Sequence, residues 1–537
     1  MSDAGSPIPG VSRARERVHT ALTRRVGIDA RALAAFRLVL GSLLLFDVLH
    51  RSQYLETFYT DGGVLPRSLL VEQYAPGKYS IHALSGEPWL QVVLFGCAAV
   101  SATALLVGYR TRIATVCSVV LLFSVHFRNP FVLNGADRLL RELLLLGVFL
   151  PLGNRWAIDT LDESSGYSDL ERDDESAVRS GSDVRITTPA TAAILVHVVV
   201  MFVNNAVLKA TGDTWHSGEA LGYALRLDHL TILLGDAVVN YPLVLTTGTY
   251  VWTGLVTGAP LLLLLAGRLR IAYVSAFIAA VTGLALSMAV GLFPVVLAGA
   301  FLLFLPPRVW DTLEHIISIA VDRVGVLERG RAAIRGAASR MGRSSTGGSV
   351  SSLSFSLSPP TRRRARQCWS LVLVCVLAIV VLWSGVLLGE AHAIEPVDST
   401  VPDDYQWTMF APNPSSSYGW YVVAGHVDGG EDIDVLRGAT LRTDRPPDAS
   451  DAFPGFRWRK YLNSLFDSDV RAERFATAMC EHSTAHADTS ITNVTVTYTE
   501  QPIALEGATP PPETVTVVEQ SCSRDRNAEL QTTATSK

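Results

Sequence analysis

The 537-residue chain is 49% hydrophobic and 18% charged, with a formal net charge of -5 and a mean hydropathy of +0.28. Several stretches of about 20 residues are almost free of charge, the length a helix needs to cross hydrocarbon. This composition excludes an ordinary soluble globular domain and predicts an α-helical polytopic membrane protein. The basic runs alternate with apolar runs, which gives no support for nucleic-acid binding.

Residues 1–30 are polar and arginine-rich without a signal-peptide pattern, and read as a basic N-terminal tail. Nine candidate spans follow: 31–50, 88–108, 113–127, 139–153, 190–208, 242–266, 271–289, 290–306 and 368–389. Eight of them form a bundle over 31–306. Arg13, Arg15, Arg17, Arg24 and Arg25 precede the first span and place the N-terminus in the cytoplasm by the positive-inside rule. The loops YRTR (109–112) and GRLR (267–270) then also fall inside, as does the segment 307–367 with eleven arginines and four acids. Within that segment, 309–335 has the period of a surface helix, and 336–361 is a Ser/Gly-rich linker before the ninth span at 368–389. The remaining 390–537 then lies outside the cell membrane. Weak strand alternation around one helical stretch near 456–483 predicts a small extracytoplasmic α+β domain with a disordered tail. No internal repeat of the transporter kind appears.

Charges inside spans are costly and need partners. In the first span Arg37 and Asp47 stand ten residues apart, about 15 Å along a helix axis, so each is expected to clamp a different neighbour. Before the fourth span, Asn134-Gly135 predicts a turn, and Asp137, Arg138, Arg141 and Glu142 occupy the first turns of the helix. Asp137 there suits the helix dipole, or else faces a polar cavity between helices. The fifth span ends in Asn204, Asn205 and Lys209. Asn205 shares the lysine's helix face. Lys209 is either a charged tether at the membrane surface or a desolvated amine able to act as a base. Trp215 suits an interfacial anchor, with Asp213, His216 and Glu219 around the outer mouth of the bundle.

Only four of the 45 basic residues are lysine, namely Lys78, Lys209, Lys460 and Lys537. The loop 154–189 holds nine acids against four arginines. That usage suggests a halophile, or a GC-rich genome. Cys97, Cys117, Cys368 and Cys375 lie in apolar runs, whereas Cys480 and Cys522 lie in the polar C-terminal region and could pair there. Asn493, Val494 and Thr495 form a glycosylation sequon. No metal-ligand spacing, Gly-rich phosphate loop, nucleophile elbow or HExxH is present, so no metal site is expected.

The ordered set ALAAFRLVLGSLLLFD (32–47), FYTDGGVLPR (58–67), RNPFVLNGADRLLR (128–141), LPLGNRWAID (150–159), LKATGDTWHSGEAL (208–221) and WTMFAPNPSSSYGWYVVAG (407–425) resembles the HTTM family, the horizontally transferred transmembrane domain. That family is related to vitamin K-dependent gamma-carboxylase. The resemblance covers about 31–306 and resumes near 400–440. It implies Lys209, ahead of Trp215, as the base that deprotonates a naphthoquinol of the menaquinone or vitamin K type. Where the carboxylase uses a histidine, NGADRLLR offers Asp137, and His126 lies too early in the chain to stand there. Asn134, Asn205, Asp213, Trp215 and His216 would line the ligand site. Two functions are therefore expected: a carboxylase-like or quinol-binding membrane protein, or a non-catalytic scaffold that presents 390–537 to a protein or envelope partner.

Overall fold

The computed structural model describes residues 25–162, 185–324, 371, 374, 375, 378, 379, 409–447, 452–486 and 491–522. The linker at 336–361 and most of the ninth candidate span lie outside them.

A two-residue strand β1 (Ile28–Asp29) leads into helix α1 (Ala30–Ser52), and the Asp29 carboxylate caps it by accepting from the Arg31 amide at 2.8 Å. Helix α2 (Pro88–Val107) starts on a proline, which suits a position whose N–H has no helical partner, and stops at the left-handed Gly108. Gly41 lets α1 and α2 touch backbone to backbone: a Cβ there would lie 2.7 Å from Leu106 Cα. Helix α3 (Thr111–Arg128) is capped by Asp159, which accepts from the Arg110 and Thr111 amides. Helix α4 (Gly135–Gly147) follows. Strand β2 (Arg185–Ile186) pairs antiparallel with β1 and leads to α5 (Pro189–Lys209), where Thr188 and Thr191 form a capping box. Then come α6 (Pro242–Thr257), α7 (Gly267–Ser287), α8 (Phe293–Leu302) and α9 (Pro307–Val324).

Among the described residues five helices are long and apolar enough to cross a membrane: α1, α2, α3, α5 and α7. A sixth is reached if the bent pair α8 and α9 counts as one span. The chain is a multi-pass membrane protein, and the described residues, which leave out most of the ninth candidate, do not confirm about nine spans. The run 242–266 breaks at Gly258 and Pro260 into α6 and a four-residue turn of helix. The run 290–306 supplies only the ten residues of α8 before Pro306 and Pro307 turn the chain by 104°. Helix α4 has 13 residues, roughly 20 Å of helix, and Leu139, Leu140, Leu143, Leu144 and Leu146 are all buried. It is apolar because protein surrounds it, not because lipid does.

The arginine-bearing loops gather at one end of the bundle. Arg270 donates to the Arg25 carbonyl, Arg31 pairs with Asp311 and Glu314 of α9, Arg37 donates to the Trp156 carbonyl at 2.7 Å, and Trp156 meets Trp310 edge to face. Helix α9 leaves this end with Leu313, Ile316, Ile317 and Ile319 exposed, as an interfacial helix would.

The opposite end carries the C-terminal region. Its five-stranded antiparallel sheet has the order β5-β4-β3-β6-β7, formed by Ala439–Thr440, Ile433–Asp434, Ser417–Val427, Ile491–Pro502 and Glu513–Ser521. Helices α10 (Phe456–Asn463) and α11 (Asp469–His486) accompany it, so the expected α+β character holds. Cys480 and Cys522 form a disulfide that ties α11 to the residue after β7. The region is not a separate ball on a stalk. A single buried cluster runs from Phe36 and Leu140 in the bundle to Trp458, Tyr461 and Phe475. Phe58 lies 4.8 Å from Trp458, ring centroid to centroid, and the Tyr461 hydroxyl donates to the Val64 carbonyl at 2.9 Å.

Candidate functional site

Two buried polar centres lie where the C-terminal region meets the bundle. The first is a charge cluster. Asp47 is one turn before Arg51 on α1, and Arg51 Nε donates to Asp47 Oδ2 at 2.7 Å. Arg51 Nη2 also pairs with Asp137 Oδ1, and Nη1 donates to the Tyr59 hydroxyl at 2.9 Å. From the other side α10 inserts Arg457, whose Nη2 binds Asp47 Oδ1 and lies 3.4 Å from Asp137 Oδ1. Two carboxylates and two guanidiniums thus balance, and all four side chains are buried. The other oxygen of Asp137 faces its own helix. Asp137 Oδ2 accepts from the Asn134 amide, and Asn134 Oδ1 accepts from the Ala136 and Asp137 amides. This capping box is what starts α4.

His126 completes the cluster, although its position in the chain had set it apart from Asp137. Its Nε2 lies 3.1 Å from Arg51 Nη2 and 3.7 Å from Asp137 Oδ1. A guanidinium only donates, so Nε2 accepts and the ring proton sits on Nδ1. The missed signal is the turn at 129–134: Asn129 caps a short 3-10 helix over Pro130–Val132, and the chain doubles back so that the end of α3 meets the start of α4. Donor atoms of Asp47, His126 and Asp137 lie within 4.8 Å of one another, a spacing that suits a cation. The guanidiniums of Arg51 and Arg457 supply the positive charge at that point. Beside it is a cavity of about 20 Å3 that touches Asp47, Arg51, His82 and Ser118, room for one water.

The second centre is Lys209. It ends α5, is 1% exposed, and has no carboxylate partner among the described residues. Its Nζ donates to the Met409 carbonyl at 2.6 Å and lies 3.4 Å from the centre of the Trp215 ring. Trp215 Nε1 donates to the next carbonyl, that of Phe410, at 3.1 Å. Met409 and Phe410 both have positive φ, 44° and 63°. Two adjacent non-glycine residues in the left-handed region store about 1–3 kcal/mol each. The chain after them is pinned by Asn413, whose Oδ1 accepts from the Thr214 amide and hydroxyl. Gly212 makes the approach possible, because a Cβ there would sit 1.8 Å from the Pro412 carbonyl oxygen. Two stretches 200 residues apart in sequence, LKATGDTW and the segment from Met409 to Pro414, therefore meet face to face.

The other expected site residues divide. Trp215 joins Lys209, and Asn205 is buried one turn below it on α5. Asp213 and His216 are exposed, and His216 Nε2 lies 2.9 Å from the Ala210 carbonyl rather than facing the amine. Asn134 and Asp137 belong to the charge cluster, not to Lys209. Arg37 donates to the Trp156 carbonyl, and Asp47 pairs with Arg457 and, within its own helix, with Arg51. Arg138 pairs with Glu142 one turn on. Lys209 is not a surface tether: its amine lies inside the protein.

At the junction of bundle loop and sheet, His229 lies near Tyr418 and Phe453. Burial, and then the charge of Arg459, push its ring pKa down to about 3. Comparison with protein-family models, curated proteins and solved structures finds no match to this chain.

Proposed function

We propose that the chain is a membrane protein of the HTTM type whose working group is the Lys209 amine, covered by the Met409–Phe410 turn, and that it binds a naphthoquinol-type ligand there. The observation that carries this reading is the buried lysine without an acid partner among the described residues, held under two strained residues. A lysine in such a place costs several kcal/mol of desolvation that a leucine or glutamine would avoid. Docking alone does not need it. The Met409 carbonyl oxygen, 2.6 Å from Nζ, stands where a ligand oxygen would accept a hydrogen bond, and the Trp215 face offers a flat wall for an aromatic ring. In this closed arrangement the turn fills the space, so a ligand enters when the turn lifts and its backbone strain relaxes. A naphthoquinol supplies a dissociable hydroxyl and a reducing ring when bound. Lys209 Nζ would take the hydroxyl proton, and the ammonium would hold the oxygen left behind. The orientation that goes with this reading puts the arginine-bearing end in the cytoplasm and the sheet outside the cell membrane, which the segregation of arginines supports.

Glutamate carboxylation of the familiar kind would also need the cluster histidine to reach the same ligand. His126 is committed to Arg51 and Asp137, so quinol binding is favoured over carboxylation. A second reading keeps the protein non-catalytic, a scaffold presenting the sheet to an envelope partner. The Arg457 clamp favours it, because that contact fixes the outer region to the bundle with no ligand involved. The test is quinone extraction and native mass spectrometry on purified wild type and Lys209→Ala. A co-purifying naphthoquinone lost in the variant is expected. No quinone in either, with equal melting temperatures, rejects the ligand reading and leaves the scaffold.

A further inference from the structure

At the arginine-bearing end, a cavity of about 690 Å3 opens between β1, β2, the start of α7 and the turn from α8 to α9. Arg185, Arg270 and Arg308 line it. The two acids on its wall are already committed: Asp29 and Asp311 both pair with Arg31, at 2.9 and 2.8 Å. Arg270 is 6% exposed, donates from Nη1 to the Arg25 carbonyl at 3.2 Å, and keeps a buried Nε with no hydrogen-bond partner among the described residues. The N-termini of the 21-residue α7 and the 18-residue α9 also open into the cavity, at Gly267 and Pro307. No side chain caps α7, so its first amide groups face the same space.

The position selects the ligand. Helices α1, α5 and α7, three of the membrane-crossing candidates, all begin at this cavity. The α9 helix turns away from it with an exposed apolar face. With three spans starting there, the cavity would lie at the depth of lipid headgroups. We propose that the cavity binds the phosphate of an anionic lipid headgroup, with Arg270 and Arg185 as the principal ligands, Arg308 at the rim, and the α7 amide groups behind them. The site depends on the chain being a membrane protein and is independent of the Lys209 reading.

The experiment counts bound lipid on the full-length protein by native mass spectrometry, titrating phosphatidic acid against phosphatidylcholine of the same chain length. Wild type is expected to prefer phosphatidic acid by about tenfold or more, and Arg185→Gln with Arg270→Gln to lose about tenfold in that affinity. Arg308→Gln, at an exposed position, should show a smaller loss in the same direction and keeps the test available if the double variant does not fold. Equal affinity for the two lipids, or no change in any variant, overturns the proposal. Competition by inorganic phosphate at the lipid's own concentration overturns the headgroup assignment in favour of a free anion. Preferential binding that appears only after deletion of 163–184 would make that acid-rich segment, which precedes Arg185, the occupant and would equally overturn it.

Discussion

Removing the Arg457 guanidinium leaves Asp47 and Asp137 to share one countercharge, Arg51, in a buried interface. Breaking a buried pair from one side costs about 3–5 kcal/mol, and Arg457→Leu is expected to lower the unfolding temperature accordingly. The sign of the effect can be isolated. Adding Asp47→Asn to Arg457→Leu restores the balance to one carboxylate against one guanidinium, so the double variant should be more stable than Arg457→Leu alone. Thermal unfolding of the single, the double and an exposed-arginine control in the same detergent measures this. A double variant less stable than the single would show that the pair acts through shape and not through charge. The same balance explains why Asp137 gave no clear role in the sequence. Its capping of α4 was legible from the asparagine three residues before it, but its ion pair with Arg457 links positions 320 residues apart, and no local pattern reports that.

At the scale of elements, the long uninterrupted apolar runs that became α1, α2, α5 and α7 were readable, because a helix facing lipid must be apolar over its whole length. The count of about nine also rested on runs to which that logic does not apply. Helix α4 is apolar because it is wrapped by protein, and 242–266, which carries no charge, is interrupted at Gly258 and Pro260. The C-terminal sheet was readable from its alternation. The cover over Lys209 was not, because the strain sits at Met409 and Phe410, residues with no sequence preference for positive φ. Gly212 is the element's weak point. In Gly212→Ala the new methyl cannot share space with the Pro412 carbonyl, so the turn must shift, at about 1–3 kcal/mol. Lys209 should then react faster with an amine-modifying reagent. The chain has only four lysines, so peptide mass spectrometry reads Lys209 directly, with Lys78 and Lys460 as internal references. An unchanged rate at Lys209 would mean that the turn does not control access.

For the whole molecule, one buried cluster runs through both the bundle and the sheet, and the seam between them carries a titratable group. His229 is neutral in the folded protein because its pKa is about 3, against 6.5 for a free ring. A detached or unfolded chain takes up the proton once the pH falls below 6.5, and the folded one does not until about 3. The contribution of His229 is therefore fully present above about pH 6.5 and is lost progressively as pH falls toward about 3, by up to about 2 kcal/mol at about pH 5. His82, held at about 3 by burial and then by Arg51 and Arg128, acts in the same direction. The two are separable because His229 alone lies at the seam with Tyr418 and Phe453. In His229→Leu the melting temperature should fall less between pH 7 and pH 5 than in wild type, while His82 and the carboxylates continue to titrate in both. Protease sensitivity of the 409–522 region should follow the same difference if the seam opens before the bundle melts. Parallel pH profiles in wild type and His229→Leu would instead assign the acid sensitivity to groups inside the bundle and leave the seam closed until global unfolding.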